Sequence, residues 1–197
     1  GPKELLYTNQ LLWDEVPEDL HFFRHRLADP ATVRRPFRTQ IRKITNKKHP
    51  CCGFYGLYAD EDIPAGQILF DYAGQIRVFE GDEKDQSSSS YLLNLYTHEE
   101  ANVFIDIDAS RAGNEARFLN DFRGTGPKPN AQFWPMYDAV SGDKRMAVKT
   151  IAAIETGSEI LVDYGGRYFE KLSDEDSDME DDDEYMQKPT TKKRRRG

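Results

Sequence analysis

Apolar positions along the chain fall in short runs, and the period of those runs changes near residue 39. Before it, Leu5, Leu6, Leu11, Leu12, Leu20, Phe22, Phe23 and Leu27 recur at roughly helical spacing, with Pro17, Pro30 and Pro36 as punctuation. This pattern predicts a flank, residues 1–38, of two short helices packed on the main body. After it the texture is strand-like. Gln40–Ile44 alternates, Gly66–Tyr72 is an extended run ending at Ala73-Gly74, and Tyr91–Leu95, Val103–Ile107, Arg145–Val148 and Glu159–Val162 are short segments bounded by turn residues. Gly81–Ser90 carries four consecutive serines and is predicted to be a loop. Neither an internal repeat nor a long amphipathic helix interrupts this region, so a mainly β domain with short helices is expected.

Composition changes the picture at the C-terminal end. Of 197 residues, 38% are hydrophobic and 31% charged, and the net charge is −8. That is less apolar than a fully globular chain of this length. The deficit sits in residues 171–197, where nine acids and no base lie between Ser173 and Glu184, followed by six bases and no acid from Lys188 to Arg196. Such a segment buries too little apolar surface to offset its ordering entropy, and disorder is predicted for it. Lys192-Lys193-Arg194-Arg195-Arg196 is of the type that directs proteins to the nucleus. The acidic balance argues against direct sequence-specific binding of nucleic acid and suits a basic partner. No apolar stretch is long enough for a membrane span, and no signal peptide is visible. Gly1-Pro2 reads as the scar of tag removal.

Candidate chemistry is narrowed by what the sequence does not contain. GxGxxG, P-loop, HExxH, GxSxG and CxxC motifs do not occur, and His21, His25, His49 and His98 are scattered without ligand spacing. Cys51 and Cys52 are adjacent, which suits neither a disulfide framework nor a structural zinc site, so no metal is expected and a reducing compartment fits.

What the chain does contain is an ordered set of segments. These are Phe54-Tyr55-Gly56-Leu57-Tyr58-Ala59 running on to Gly66, Asp71-Tyr72-Ala73-Gly74, Ser89-Ser90-Tyr91-Leu92-Leu93, Ile107-Asp108-Ala109 with Gly113-Asn114-Glu115-Ala116-Arg117-Phe118-Leu119-Asn120, Pro129-Asn130-Ala131, and Gly157-Ser158-Glu159-Ile160-Leu161-Val162-Asp163-Tyr164-Gly165. In this order and at these separations they resemble the SET-domain family of histone-lysine methyltransferases. The resemblance spans roughly residues 40–170, and the domain is placed at 39–170. It implies several small β-sheets, short helices and a C-terminal pseudoknot in which the asparagine segment threads a loop made by the chain end.

The resemblance also implies S-adenosylmethionine as methyl donor, S-adenosylhomocysteine as product and a lysine side chain as acceptor. Carried over position by position, Tyr55, Gly56, Ser90, Tyr91, Arg117, Asn120, Asp121, Tyr164 and Tyr168 would contact the cofactor. Asn120 would take its ammonium through the side-chain oxygen. Tyr72, Phe118, Val162, Tyr164 and Phe169 would line the lysine channel, and Tyr164 and Tyr72 would be the catalytic pair. An aromatic tunnel suits a lysine stem and a methylated ammonium. A buried lysine beside a sulfonium loses its proton without a dedicated base.

Several positions depart from the family pattern. Phe54 stands for the first glycine of the aromatic-Gly turn, and Asp121-Phe122-Arg123 replaces His-Ser-Cys. Around Gly124–Lys128 four residues are inserted, and the zinc-binding cysteines after the domain are missing. The expected function is protein-lysine methylation, with a histone tail or nucleosome as the basic partner, in the nucleus and in the company of chromatin-complex proteins. The alternative is a SET module of low or no turnover that serves as a binding scaffold.

Overall fold

The computed structural model describes residues 5–23, 37–81, 89–137 and 142–165. The chain is built from short strands and 3₁₀ turns. In order they are β1 (Leu6–Tyr7), β2 (Leu11–Leu12), β3 (Thr39–Lys43), β4 (Tyr55–Ala59), β5 (Ile68–Asp71), β6 (Gly74–Glu80), β7 (Leu92–His98), β8 (Val103–Gly113), β9 (Asn120–Asp121), β10 (Ala131–Tyr137), β11 (Lys144–Thr150) and β12 (Leu161–Val162), with 3₁₀ turns at Glu18–Phe23, Glu99–Ala101 and Glu115–Phe118. Among the described residues they form four small sheets. The mainly β class and the multiplicity of sheets are as expected.

β8 organises the largest sheet. β6 pairs antiparallel along one of its edges, β7 pairs along the other, and β1 joins parallel at Ala112 and Gly113. Ile105, Ile107 and Ala109 alternate inward from β8 and are fully buried. Gly74 faces Gly113 where the β6 register shifts, and a Cβ there would stand 2.5 Å from the Asp108 carbonyl oxygen, so only glycine lets the strands approach this closely. The β3–β4 hairpin forms a second sheet, and β10, β11 and β5 a third. β6 and β10 were not anticipated, because Gln75, Arg77 and Gln132 break the apolar runs of strands that are buried on one face only.

The flank corrects the sequence expectation. In place of a first helix, β1 and β2 add two-residue parallel strands to β8 and β6. Leu5, Leu6 and Tyr7 are exposed, and the residues that anchor the flank are Trp13 and Val16. Adjacent leucine pairs do not make a helical stripe; they sit where the main chain can complete open strand edges. A 3₁₀ turn follows at Glu18–Phe23, with the Trp13 ring edge-on to His21 at 5.9 Å. Residues 1–4 and 24–36 of the predicted flank, the predicted tail, and Tyr168 and Phe169 lie outside the described residues.

The last sheet is the smallest and brings distant segments together. β9 pairs parallel with β12, Leu161 against Asn120 and Val162 against Asp121. Asn130 reinforces the crossing, with Nδ2 donating to the Glu159 carbonyl at 2.8 Å and Oδ1 accepting from the Leu161 N–H at 2.9 Å. Here the asparagine segment and the chain end lie side by side, as the expected pseudoknot requires.

Candidate active site

Two tyrosines from opposite ends of the domain meet at one cavity. Tyr72 directly follows β5, where its N–H donates to the Met146 carbonyl at 2.7 Å. Its hydroxyl donates to the Tyr91 carbonyl at 2.9 Å, and its ring stands edge-on to Phe133 at 5.8 Å. Tyr164 follows β12, and its hydroxyl donates to the Leu119 carbonyl. Together with Ser90, Tyr91 and Leu119 these rings wall a cavity of about 50 Å³. Each hydroxyl donates its hydrogen to a backbone carbonyl, which fixes the position of its oxygen.

From the cavity a cation–aromatic row runs outward. The Arg117 guanidinium lies over the Tyr91 ring at 4.3 Å and over Phe118 at 5.1 Å, and its Nε donates to the Ala109 carbonyl at 2.9 Å. Phe118 meets Tyr55 edge-on at 6.3 Å. Tyr55 is 42% exposed, so the row ends at solvent.

Asn120 sits beneath this row. Its Nδ2 donates to the Glu159 carboxylate at 2.8 Å and to the Tyr55 carbonyl at 3.2 Å. Two acceptors on one side fix the amide orientation and leave Oδ1 as an outward acceptor. Gly56 makes this possible, since a Cβ there would lie 2.5 Å from Glu159 Oε1 and 3.1 Å from Asn120 Nδ2. The space freed at Gly56 is therefore filled from within the protein, by Glu159.

Glu159 is the functional candidate that sequence reasoning missed. Its second oxygen meets His49 Nε2 at 3.1 Å and the Tyr58 hydroxyl at 3.4 Å. Burial, and then the Glu159 charge, push the Tyr58 phenol up to about 12. The available signal was a lone acid in the otherwise apolar Ile160-Leu161-Val162 run, which the strand pattern absorbed.

Asp121 closes the other side of the segment. Oδ2 accepts from the Tyr164 N–H at 2.8 Å, and Arg123 bridges Asp121 and Asp163 at 2.6 and 2.7 Å. The Gly165 N–H foremost, and the Arg123 guanidinium after it, hold Asp163 below the usual carboxylate range.

Asn114 links the two tyrosine-bearing regions. This buried residue caps the Glu115–Phe118 turn through Oδ1, while Nδ2 donates to the Asp71 carbonyl at 2.9 Å and to Asn9 of the flank at 3.0 Å. Tyr7 adds a hydrogen bond to Glu115 at 2.8 Å.

Of the predicted residues, Tyr55, Gly56, Ser90, Tyr91, Arg117, Phe118, Asn120, Asp121, Tyr72 and Tyr164 thus form one connected patch. Phe118 lies on the outer row, not in the cavity wall. Val162 is fully buried in the core, as is its strand neighbour Leu161. Among the described residues no group of three or more His, Cys, Asp or Glu side chains is arranged to hold a metal ion.

The SET-domain family model matches residues 54–165. Among curated proteins, the chain is 32% identical over 117 residues to the histone-lysine N-methyltransferase set-2 of Caenorhabditis elegans, covering 56% of this chain and 7% of that protein. It is 29% identical over 147 residues to the H3 lysine-4 specific histone-lysine N-methyltransferase of Mycosarcoma maydis, covering 71% of this chain and 9% of that protein. It spans 36% of a shorter relative from Arabidopsis thaliana, at 27% identity. The chain therefore covers only a minor part of each of these proteins. Among solved structures, an active polycomb repressive complex 2 in the stimulated state aligns with TM-score 0.50 and 27% identity, over 66% of this chain and 15% of that one.

Proposed function

The chain belongs to the SET-domain family, and on that premise we propose that it is an S-adenosylmethionine-dependent protein-lysine N-methyltransferase acting on a histone lysine. The convergence of Tyr72 and Tyr164 on one small cavity, with each hydroxyl anchored on a backbone carbonyl, carries this reading. The residues present fit the donor: Asn120 offers a fixed carbonyl oxygen suited to an ammonium, beside an open row of aromatic rings. When bound, S-adenosylmethionine supplies an electrophilic methyl group on a sulfonium.

The protein's own residues supply position and proton control. The anchored Tyr72 and Tyr164 hydroxyls flank the cavity and orient the amine for in-line attack. The apolar faces of Tyr72, Tyr91 and Phe133 strip water from the lysine stem and favour its neutral form. The Tyr164 N–H is pinned by Asp121, so the carboxylate that replaces the family's histidine serves to hold the catalytic tyrosine.

Nuclear residence and chromatin-complex partners accompany this reading. They are supported by the Lys192–Arg196 run and by the names of the relatives. The replacement of histidine by Asp121 favours a second reading, a SET module that binds a chromatin partner without turnover. Incubating the protein with nucleosomes and free histones in the presence of S-adenosylmethionine, with mass spectrometry of the products, separates the two. Methyl increments on a histone lysine are expected. Unmodified histones, with the cofactor still bound, would favour the scaffold.

A further inference from the structure

We propose that His49 is a positioning residue for the cofactor site, acting through Glu159 on Asn120. The inference rests on the reading of Asn120 given above. His49 lies five residues before the segment matched by the SET-domain family model, in the turn between β3 and β4.

The hydrogen bonds fix the direction of the relay. His49 Nδ1 accepts from the Cys51 N–H at 3.0 Å, so the neutral ring carries its proton on Nε2. Nε2 therefore donates to Glu159 Oε2 at 3.1 Å. Glu159 Oε1 accepts from Asn120 Nδ2 at 2.8 Å. Each link has a single chemically allowed sense, and the last one decides which face of the Asn120 amide looks outward. The His49 and Glu159 side chains are only 7% and 11% exposed, so water competes weakly for these bonds. The Tyr58 hydroxyl is the other group on Glu159, at 3.4 Å, and Arg42 lies over the Tyr58 ring at 5.2 Å. At that distance Tyr58 is a weak partner, and His49 is the principal restraint on the second carboxylate oxygen.

Without the His49 donor, Glu159 is free to rotate away from Asn120. The amide is then held only by the Tyr55 carbonyl at 3.2 Å, and its outward oxygen is no longer fixed. Cofactor affinity should fall while the hydroxyls at the cavity stay in place.

Two isosteric variants separate this role from a merely structural one. His49→Gln keeps a donor near the Nε2 position and loses the acceptor for Cys51. His49→Asn keeps the acceptor near Nδ1 and loses the donor to Glu159. The full chain and both variants are titrated with S-adenosylhomocysteine by calorimetry, thermal denaturation is recorded alongside, and KM and kcat are measured with S-adenosylmethionine. We expect His49→Asn to raise Kd and KM about tenfold with kcat little changed, and His49→Gln to stay within about threefold of the parent. Equal affinity in both variants and the parent overturns the relay alone. Equal loss in both, tracking a fall in Tm, also overturns it, because the turn and not the donor would then matter. A parent protein that binds no S-adenosylhomocysteine removes the reading of the cofactor site, and the relay with it.

Discussion

Asn120 and its neighbour Asp121 are each tied down, but by contrasting means. On one side the His49–Glu159–Asn120 chain is buried and direction-specific, and it depends on a glycine for room. On the other, Asp121, Arg123 and Asp163 form a charge clamp whose Arg123 and Asp163 side chains are 39% and 51% exposed. Removing one member of a buried polar node strands its partners away from water, whereas an exposed ion pair exchanges its bonds for hydration at little net cost. The first arrangement fixes orientation. The second rests on bonds that solvent can replace at Arg123 and Asp163, while its Asp121 end is only 9% exposed and holds the Tyr164 N–H.

The sharpest way to break this contrast is Glu159→Ala. It leaves His49 and Asn120 without their shared acceptor, and chemical denaturation should report a stability loss of about 2–3 kcal/mol. Gly56→Ala comes next. The added Cβ meets Glu159 Oε1 at 2.5 Å, and the carboxylate is too well tethered to yield freely. A cost of about 1–3 kcal/mol is expected from overpacking, and cofactor affinity should weaken in the same direction.

Ionisation of Tyr58 probes the buried side without mutation. Its folded-state value near 12 lies above the ordinary value of 10.0, so its contribution to stability is complete below pH 10 and is lost as pH rises towards 12. Absorbance titration of the native protein against Tyr58→Phe should reveal one late-titrating phenol that the variant lacks.

On the exposed side, Arg123→Ala should cost at most about 1 kcal/mol, a difference that shrinks when salt is raised to about 1 M. The Asp163 carboxyl is held low, so its contribution is present above its ordinary value of 3.8 and disappears as pH falls through the lower folded-state value. The small stability gap between parent and Arg123→Ala should hold above that window and narrow as pH falls through it. A large effect of Arg123→Ala at neutral pH would erase the contrast between the two sides.

Much of the site was legible in the sequence because its parts are ordered along the chain. Tyr72, Tyr91, Arg117, Asn120 and Tyr164 each fall in a segment that matches the family pattern, and the fold brings them together. The strands of β8 and β11 were visible as apolar runs. The flank was misread because leucine pairs say nothing about backbone pairing to a distant strand edge. The pairing of His49 with Glu159 was invisible because they are 110 positions apart, and a hydrogen bond between such residues leaves no periodic trace. Val162 was assigned to the channel by position in the motif, and the structure shows it fully buried beside Leu161.

The central claim is that the Tyr164 hydroxyl stands at the point of methyl transfer, and Tyr164→Phe tests it most directly. Turnover on a histone substrate and affinity for S-adenosylhomocysteine should be measured on the same preparation. The account predicts that kcat falls by about 100-fold or more while Kd stays within about threefold. A variant that turns over at the parental rate would contradict it.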